Sequence, residues 1–432
     1  MTTGLGARAG LVVLALALTA VVAPPLHGQI RTQPMPAVEA LPVKTALPDP
    51  LRFENGRGVA SRRQWTMRRT EMKRILEYYM LGVAPPPPGN VTGRVVASRR
   101  VADNRVAFQQ VRLSFGPQSR LGFDVAVFTP ARRAGPFPTI VQPSFFPTPG
   151  TPPPPVPPAA GDATPEQIAR RARGREMAER MAQPEHAVTL YADALSRGYA
   201  IVTFNYQQCG EDRKDYRDSG FFPAYPDHTW ADLAAWAWCM SRVADYLQTQ
   251  AFADRSKLLA VGHSRLGKAT LVAGAFDDRF ALVAPAGSGC GGTGAFRFNG
   301  EGRGGKEGLE RATEVFPQWF VPGFRDFAWK VDRLPFDQHW LIALVAPRAF
   351  IAADALDDGA TNGMALKQAY LGAKPVYEML GKADRLGVHF RSGGHALAPE
   401  DWTAILDFAD RHLRGRRSAQ RFDRFPPDDR LH

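Results

Sequence analysis

The chain has few cysteines, no metal-ligand spacing and no apolar run of the roughly 20 residues that a membrane-spanning helix needs. Three of its 432 residues are cysteines, Cys209, Cys239 and Cys290, so at most one internal disulfide can form and one thiol is left over. The formal net charge is +12, but the arginines are spread along the chain and no basic helix or aromatic RNA-binding motif occurs. We therefore expect no bound metal, no nucleic-acid partner and no membrane span.

The first 28 residues have the pattern of a secretory signal. Arg8 precedes an unbroken apolar run over residues 11–23, and small residues follow near Gly28. The run is too short for a membrane anchor, so we predict a signal peptide over residues 1–28, whose removal leaves a secreted or periplasmic protein. Residues 29–50 are rich in proline and polar side chains, which predicts an extended leader over the domain surface.

Strand patterns and helix patterns alternate along most of the chain. Short apolar or alternating runs predict strands over residues 93–97, 107–115, 121–129, 138–146, 199–205, 280–284, 348–353 and 387–391. Helical spacing predicts helices over residues 61–81, 165–181, 187–197, 230–248 and 401–413. This alternation predicts a three-layer α/β fold with a mainly parallel central sheet flanked by helices. We expect a single domain over residues 51–415, with a stiff proline-rich loop at 147–158 and a polar tail at 416–432.

One stretch joins a short apolar run, a Gly-x-Ser turn and an Ala- and Leu-rich helix pattern. It reads Leu258-Leu-Ala-Val-Gly-His-Ser-Arg-Leu-Gly-Lys268 and is typical of a strand that turns sharply into a helix. A serine at the tip of this turn, Ser264, has its hydroxyl exposed above the sheet and lies near a helix N-terminus, where negative charge is favoured. Gly-x-Ser also occurs in ordinary turns, so the rest of the chain decides whether Ser264 is a nucleophile of an α/β-hydrolase fold.

Later loops supply a base and an acid for such a serine. A histidine must take the serine proton, and a carboxylate must fix the histidine tautomer. His395 follows two glycines after a late strand and precedes the last helix, where this fold places its base. Three aspartates follow the strand at 348–353, and Asp358 is the best placed of them, with Asp357 as the alternative. The order along the chain is then Ser, Asp, His.

Several further stretches carry a resemblance to a known family. Gly262-His-Ser-Arg-Leu-Gly-Lys268 is similar to the Gly-x-Ser-Arg-x-Gly-Lys signature of the glucuronoyl esterases, carbohydrate esterase family 15, of bacterial type. Other matching stretches cover most of the chain after about residue 50, namely Gly220-Phe-Phe-Pro-Ala-Tyr225, Ser288-Gly-Cys-Gly-Gly292, Phe316-Pro-Gln-Trp-Phe320, Leu334-Pro-Phe-Asp-Gln-His339, Ala343-Leu-Val-Ala-Pro-Arg348 and Gly393-Gly-His395. A shared set of this extent is far more specific than Gly-x-Ser alone.

The resemblance implies a role for each residue around the turn. Ser264 would attack an ester carbonyl, His395 would act as base and then as acid, and Arg265 would help to hold the developing oxyanion. Lys268, one helical turn after the serine, would hydrogen-bond sugar hydroxyls, and Glu310 would be a second sugar-contacting residue. This chemistry requires no metal and no organic cofactor.

Two positions depart from the family pattern. Many members carry the triad acid as a glutamate just before the Ser-Gly-Cys-Gly stretch, where this chain has Gly287. Members with an acid after the later strand match Asp358, so we expect the acid there. A tryptophan commonly follows this later acid by two positions and lines the sugar site. This chain has Ala360 instead, which predicts a wider pocket.

The sequence thus predicts a monomeric secreted serine esterase. Its expected substrates are esters of (4-O-methyl-)glucuronic acid on xylan, including lignin–carbohydrate esters, cleaved through an acyl-enzyme intermediate. An acetyl xylan esterase or another carbohydrate esterase of the same fold is the alternative enzyme. A non-catalytic carbohydrate-binding relative is the alternative of another class, favoured if Asp358 does not reach His395.

Overall fold

The structure describes the chain except for three internal segments and the last residue. In this computed structural model the described residues are 1–4, 35–153, 164–300 and 307–431. Residues from 36 onward form one folded unit, whereas residues 1–4 and 35 contain no helix or strand. The predicted signal peptide lies outside the described residues apart from its first four, as do residues 154–158 of the predicted proline-rich loop.

The core of the fold is a nine-stranded sheet. Its strands are β1 (Thr92–Val101), β2 (Val106–Phe115), β3 (Leu121–Pro130), β4 (Phe137–Ser144), β5 (Ala200–Asn205), β6 (Ala253–His263), β7 (Phe280–Ala286), β8 (Ala349–Ala355) and β9 (Leu386–Arg391). They are ordered β1-β2-β3-β5-β4-β6-β7-β8-β9. The first three strands are antiparallel, as is the β3/β5 pair. All pairs from β5 to β9 are parallel, so the predicted α/β-hydrolase sheet is confirmed.

Helices cover both faces of this sheet. They are α1 (Arg62–Leu76), α2 (Pro165–Met181), α3 (Pro184–Ala187), α4 (Ala192–Ser196), α5 (Asp232–Leu247), α6 (Arg265–Phe276), α7 (Leu309–Val315), α8 (His339–Val345), α9 (Gly363–Met379) and α10 (Pro399–Arg414). Leu259 and Val261 of β6 are buried in one cluster with residues of α4 and α10. Because side chains alternate along a strand, Leu258 and Ala260 point to the opposite layer, where α5, α6 and α8 pack together.

Two predicted helices differ from the observed ones. The helix predicted over 61–81 is α-helical only as far as Leu76, and Glu77–Leu81 form a π-helical turn. The helix predicted over 187–197 is broken into a 3-10 turn, Val188–Tyr191, and the short α4. Apolar spacing located both segments but could not resolve a change of helix type within them. Each 3-10 or π segment is only about one turn long, which is too short to separate the repeat lengths of the helix types.

Both ends of the described unit pack on the sheet and its helices. Val38 and Leu41 of the predicted leader are buried, and the Pro48 carbonyl accepts a hydrogen bond from Trp340 Nε1 at 2.8 Å. In the predicted polar tail, Phe422 and Leu431 are buried. These segments therefore contribute apolar surface to the core.

Two further features of the described residues concern the cysteines and the helices. Cys209, in the loop after β5, is joined by a disulfide to Cys239 of α5, and Cys290 is free and buried. The disulfide ties the β5 loop to the helix layer. No helix of the described part of the chain is long and apolar enough to cross a membrane.

Candidate active site

The turn between β6 and α6 has the geometry that exposes a serine. Ser264 has φ of 58°. Residues other than glycine rarely adopt this backbone conformation outside sharp turns. A Cβ at Gly262 would lie 2.5 Å from the Leu266 carbonyl oxygen, and one at Gly267 would lie 3.0 Å from the Ala286 carbonyl oxygen. The two glycines therefore let the helix pack close enough to β6 and β7 to hold Ser264 at the tip of the turn.

His395 and Asp358 complete a hydrogen-bonded chain with this serine. His395 Nε2 lies 2.9 Å from Ser264 Oγ, and His395 Nδ1 lies 2.6 Å from Asp358 Oδ2. Asp358 is 8% exposed, and its Oδ1 accepts the Ala360 N–H at 2.8 Å. Burial alone would raise the pKa of Asp358, but the hydrogen bonds from His395 and Ala360 hold it below its usual value. An ionised acid in this position can stabilise an imidazolium.

The two other aspartates of this segment, Asp354 near the end of β8 and Asp357 in the loop after it, make no hydrogen bond to His395 among the described contacts. Asp357 is exposed, and its Oδ2 accepts the Gly393 N–H at 2.6 Å, which fixes the loop that carries the histidine. Asp354 is 3% exposed, and burial together with the neighbouring Asp358 and Asp401 raises its pKa to about 8. The structure thus brings Asp358, rather than the alternative Asp357, to the imidazole.

Gly287, where many relatives carry the acid, faces the same histidine from another side. It has φ of +50°, and a Cβ there would lie 3.1 Å from His263 Nε2 and 3.5 Å from His395 Cε1. The rings of His263 and His395 have centroids 4.7 Å apart. Burial, with a further contribution from His395, lowers the pKa of His263 to about 4, so this imidazole is neutral at working pH. The neutral ring of His263 therefore fills the space beside Gly287.

Arg265 lies next to the serine in an ion pair that the sequence did not predict. Its Nη1 donates to Oδ2 of Asp212, a residue of the loop after β5. Its guanidinium carbon is 5.2 Å from the ring centroids of both Phe316 and Trp319, which are stacked 4.0 Å apart. Nε of Arg265 is buried without a hydrogen-bond partner among the described residues. Arg265 is thus anchored next to Ser264 by one carboxylate and two aromatic rings.

Lys268 lies one turn further along α6 and is 4% exposed. Its Nζ donates to the Ser288 carbonyl at 2.7 Å and to the Cys290 carbonyl, and it lies 3.3 Å from Glu307 Oε2. It also lies 5.4 Å from the ring centroid of Trp319. The acid that pairs with Lys268 is therefore Glu307.

Glu310, the predicted second sugar contact, points elsewhere. Its carboxylate lies against the backbone of Gly300 and Gly308, and no hydrogen bond joins it to Lys268 among the described contacts. Glu307 is three residues earlier and precedes the start of α7 at Leu309. No spacing in the sequence favours Glu307 over Glu310.

Two absences concern the groups that the site could hold. Ala360 is exposed and contributes no aromatic ring beside the acid loop. Within residues 1–4, 35–153, 164–300 and 307–431, no group of three or more His, Cys, Asp and Glu side chains is arranged to hold a metal ion.

The sheet order and the serine turn define an α/β hydrolase, and comparison with known proteins narrows this class. A family model described as glucuronyl esterase of fungi matches residues 181–381. A carbohydrate esterase from an unknown prokaryotic organism is 31% identical over 421 residues, covering 87% of this chain and 92% of the relative. A 4-O-methyl-glucuronoyl methylesterase from Phanerochaete carnosa is 28% identical, covering 86% and 81%.

Solved structures agree with these sequence matches. The carbohydrate esterase family 15 glucuronoyl esterase from Caldicellulosiruptor kristjansonii is 30% identical with a TM-score of 0.70, covering 90% of this chain and 96% of the other. The glucuronoyl esterase from Solibacter usitatus is 28% identical with a TM-score of 0.70, covering 86% and 98%. The chain belongs to carbohydrate esterase family 15, the glucuronoyl esterases, and is a carboxylic ester hydrolase.

Proposed function

We propose that this chain is a secreted or periplasmic esterase that hydrolyses esters of (4-O-methyl-)glucuronic acid on xylan, including lignin–carbohydrate esters. The observation that carries the proposal is the unbroken hydrogen-bond chain from Asp358 through His395 to Ser264. The fungal relatives that are named 4-O-methyl-glucuronoyl methylesterases support the choice of sugar. The reaction would run through an acyl-enzyme intermediate.

Acylation begins with proton transfer from the serine. His395 Nε2, 2.9 Å from Ser264 Oγ, takes the hydroxyl proton as Oγ attacks the ester carbonyl, and Asp358 stabilises the imidazolium that forms. The carbonyl oxygen becomes an oxyanion, which Arg265 and backbone N–H groups stabilise. When the tetrahedral intermediate collapses, His395 gives its proton to the leaving alcohol.

Deacylation repeats these steps with water. His395 removes a proton from a water molecule, which attacks the acyl carbonyl. As the second tetrahedral intermediate collapses, the bond to Ser264 Oγ breaks, His395 returns the proton to this oxygen, and the uronic acid is released. The released acid ionises at neutral pH. One ester and one water are thus converted to a uronate, an alcohol and a proton.

Lys268 and Glu307 are suited to bind a sugar hydroxyl. Two of the three ammonium hydrogens of Lys268 are directed to the Ser288 and Cys290 carbonyls, and the contact with Glu307 is the longest of the three, at 3.3 Å. A hydroxyl can both donate and accept. A sugar hydroxyl placed between the two side chains would accept from Lys268 and donate to Glu307, which recognises a sugar without requiring a net charge.

A cleft near the catalytic histidine has room for a bulky group. It has a volume of about 990 Å³ and is bordered by Phe145, Asn205, Gln207 and Gln208. Phe145 is 42% exposed, and its ring centroid is 6.5 Å from that of His263, which packs on His395. A substrate that extends from Ser264 past His263 would reach this cleft, which would suit an ester with a large alcohol.

A panel of esters tests the proposal against its alternatives. We expect methyl and benzyl glucuronates to be hydrolysed with a higher kcat/KM than methyl galacturonate or acetylated xylan. A fluorophosphonate should label the wild type but not the Ser264→Ala variant, because labelling requires an activated serine. Faster release of acetate from xylan would favour an acetyl esterase. Absence of both hydrolysis and Ser264-dependent labelling would favour the non-catalytic carbohydrate-binding relative.

A further inference from the structure

Asp212 is a buried carboxylate at which several side chains of the active site meet. Its side chain is 5% exposed. Oδ1 accepts hydrogen bonds from Gln318 Nε2 at 2.7 Å and from Trp319 Nε1 at 2.9 Å. Its Oδ2 accepts from Arg265 Nη1 and from the Tyr206 hydroxyl, the latter at 3.3 Å. Four donors from three different segments of the chain therefore converge on one side chain.

This arrangement fixes Arg265 from two directions. The ion pair with Asp212 holds one end of the guanidinium, and the stacked rings of Phe316 and Trp319 lie over it at 5.2 Å. Trp319 itself donates a hydrogen bond to Asp212. The carboxylate therefore positions both the guanidinium and the indole ring that it contacts. A planar guanidinium held this way keeps a fixed orientation, so its remaining N–H groups have fixed directions.

The same contact also balances the charge of the site. Arg265 is paired with Asp212 and Lys268 with Glu307, so each cation near Ser264 has an acid partner. The substrate of an esterase is a neutral ester, whereas its product is an anion. An unpaired arginine and lysine would hold the uronate product more tightly than the substrate, which would slow turnover.

We propose that Asp212 is a positioning residue that orients Arg265 for the oxyanion and makes the site favour the neutral uronic ester over the uronate product. The second part rests on the proposed function, because it requires a uronate as the product. The first part requires only that Arg265 stabilises the oxyanion of some ester.

A double-mutant cycle tests the positioning role. Asp212→Asn should lower kcat by about 10- to 100-fold with little change in KM. Removal of an oxyanion donor lowers kcat by about 10²- to 10³-fold, and Arg265 would here be misoriented rather than removed. In an Arg265→Ala background the same substitution should change kcat by no more than about twofold. Equal losses in both backgrounds would overturn the proposal, because Asp212 would then act independently of Arg265.

Product inhibition tests the charge role. Asp212→Asn should lower the inhibition constant of free glucuronate by about tenfold, because one nearby negative charge is removed. Its neutral analogue glucuronamide should inhibit both proteins equally. Asp212→Glu keeps the charge but displaces it, so it should lower kcat and leave glucuronate inhibition as in the wild type. Unchanged glucuronate inhibition in the Asn variant would refute the charge role.

Asp232 offers a matched control. It is fully buried, and burial, with a further contribution from Asp212, raises its pKa to about 9. No hydrogen bond joins it to Arg265 among the described contacts. Asp232→Asn replaces a protonated acid by an amide of the same shape and should leave kcat and glucuronate inhibition unchanged. A loss equal to that of Asp212→Asn would mean that any change in this buried region impairs the site.

Two arrangements keep the outcomes distinct. The kcat cycle is run on p-nitrophenyl acetate as well as on a glucuronate ester, so it remains decisive if the proposed sugar is wrong. If Asp212→Asn does not fold, as judged by its melting curve, Asp212→Glu takes its place in the cycle. The criterion is the same, since its loss of kcat must disappear when Arg265 is absent.

Discussion

The loops that leave β7 and β8 lie side by side at the carboxyl end of the sheet, yet only one of them carries an acid to His395. The β7 loop begins with Gly287, whose N–H bonds back to the Ala353 carbonyl of β8 at 2.8 Å. The β8 loop extends three residues beyond its strand and turns at Asp358, which lies 2.6 Å from His395 Nδ1. Neighbouring parallel strands thus offer two routes to one histidine.

The two routes meet the imidazole at different atoms. A Cβ at Gly287 would face His395 Cε1 at 3.5 Å, with His263 on its other side. Asp358 approaches Nδ1 and receives a second hydrogen bond from its own turn, the Ala360 N–H. An acid in the β8 loop therefore needs no space between the two rings. The packing of His263 against His395 suits a chain that keeps the β7 position small.

The sharpest test of this comparison is removal of the β8 acid. Asp358→Asn should lower kcat by about 10⁴-fold, because an amide at Nδ1 favours the wrong histidine tautomer. The measurement is kcat for a glucuronate ester across pH 6 to 9. Asp357→Asn is the matched control on the same loop, and we expect a loss of no more than about tenfold, since the Asp357 carboxylate accepts the Gly393 N–H and makes no hydrogen bond to His395 among the described contacts.

The reverse ranking of these two variants would assign the acid to Asp357 and break the comparison. A small loss in both would mean that the neutral His395 keeps its tautomer without help from the β8 loop.

The sequence allowed the prediction of those features that a local pattern encodes. Ser264 and its turn are specified by two glycines and the strand and helix beside them, and His395 by its place before the last helix. The choice between Asp357 and Asp358 depends on the direction of a single turn, which no periodicity describes. The helix α9 was not predicted, and it has Pro375 within it, a residue that normally interrupts a helical pattern.

The residues around Arg265 were out of reach for a different reason. Asp212 lies 53 positions before Arg265 in the sequence, and it meets the arginine only because the β5 loop folds over the start of α6. Glu307, which pairs with Lys268, was not predicted because it lies beside a glycine-rich stretch that gives no register, whereas the sugar contact of Glu310 remains a prediction. Such contacts are tertiary and leave no trace in spacing.

A second prediction concerns the buried acid between the two loops. Asp354 is nearly fully buried and keeps its proton in the folded protein, with its pKa raised to about 8 by burial and by Asp358 and Asp401. The unfolded chain ionises this side chain near pH 4. Unfolding therefore releases a proton between about pH 4 and pH 8. As the pH rises through this range, the free energy of unfolding of the wild type falls by up to about 1.4 kcal/mol per pH unit because of this group.

Asp354→Asn should remove that loss. The free energy of unfolding of the variant, relative to the wild type, should increase from pH 5 to pH 8 and then level off, as measured by denaturant titration at each pH. We expect kcat at pH 7 to change by less than about threefold, because the amide has the shape of the protonated acid. Parallel stability curves would show that Asp354 is ionised in the folded protein.

The smallest expected effect tests whether the space beside Gly287, in the loop after β7, can hold a side chain. Gly287→Ala should reduce the free energy of unfolding by about 2 to 3 kcal/mol, because a positive φ costs roughly 1 kcal/mol for alanine and the new Cβ also meets His263 Nε2 at 3.1 Å. Gly381→Ala is the control, since Gly381 has φ of +68° and nothing within 4 Å of a Cβ. It should lose only the conformational part. Equal losses in the two variants would mean that the space beside His263 is not limiting, and that the β7 position is small for some reason other than packing.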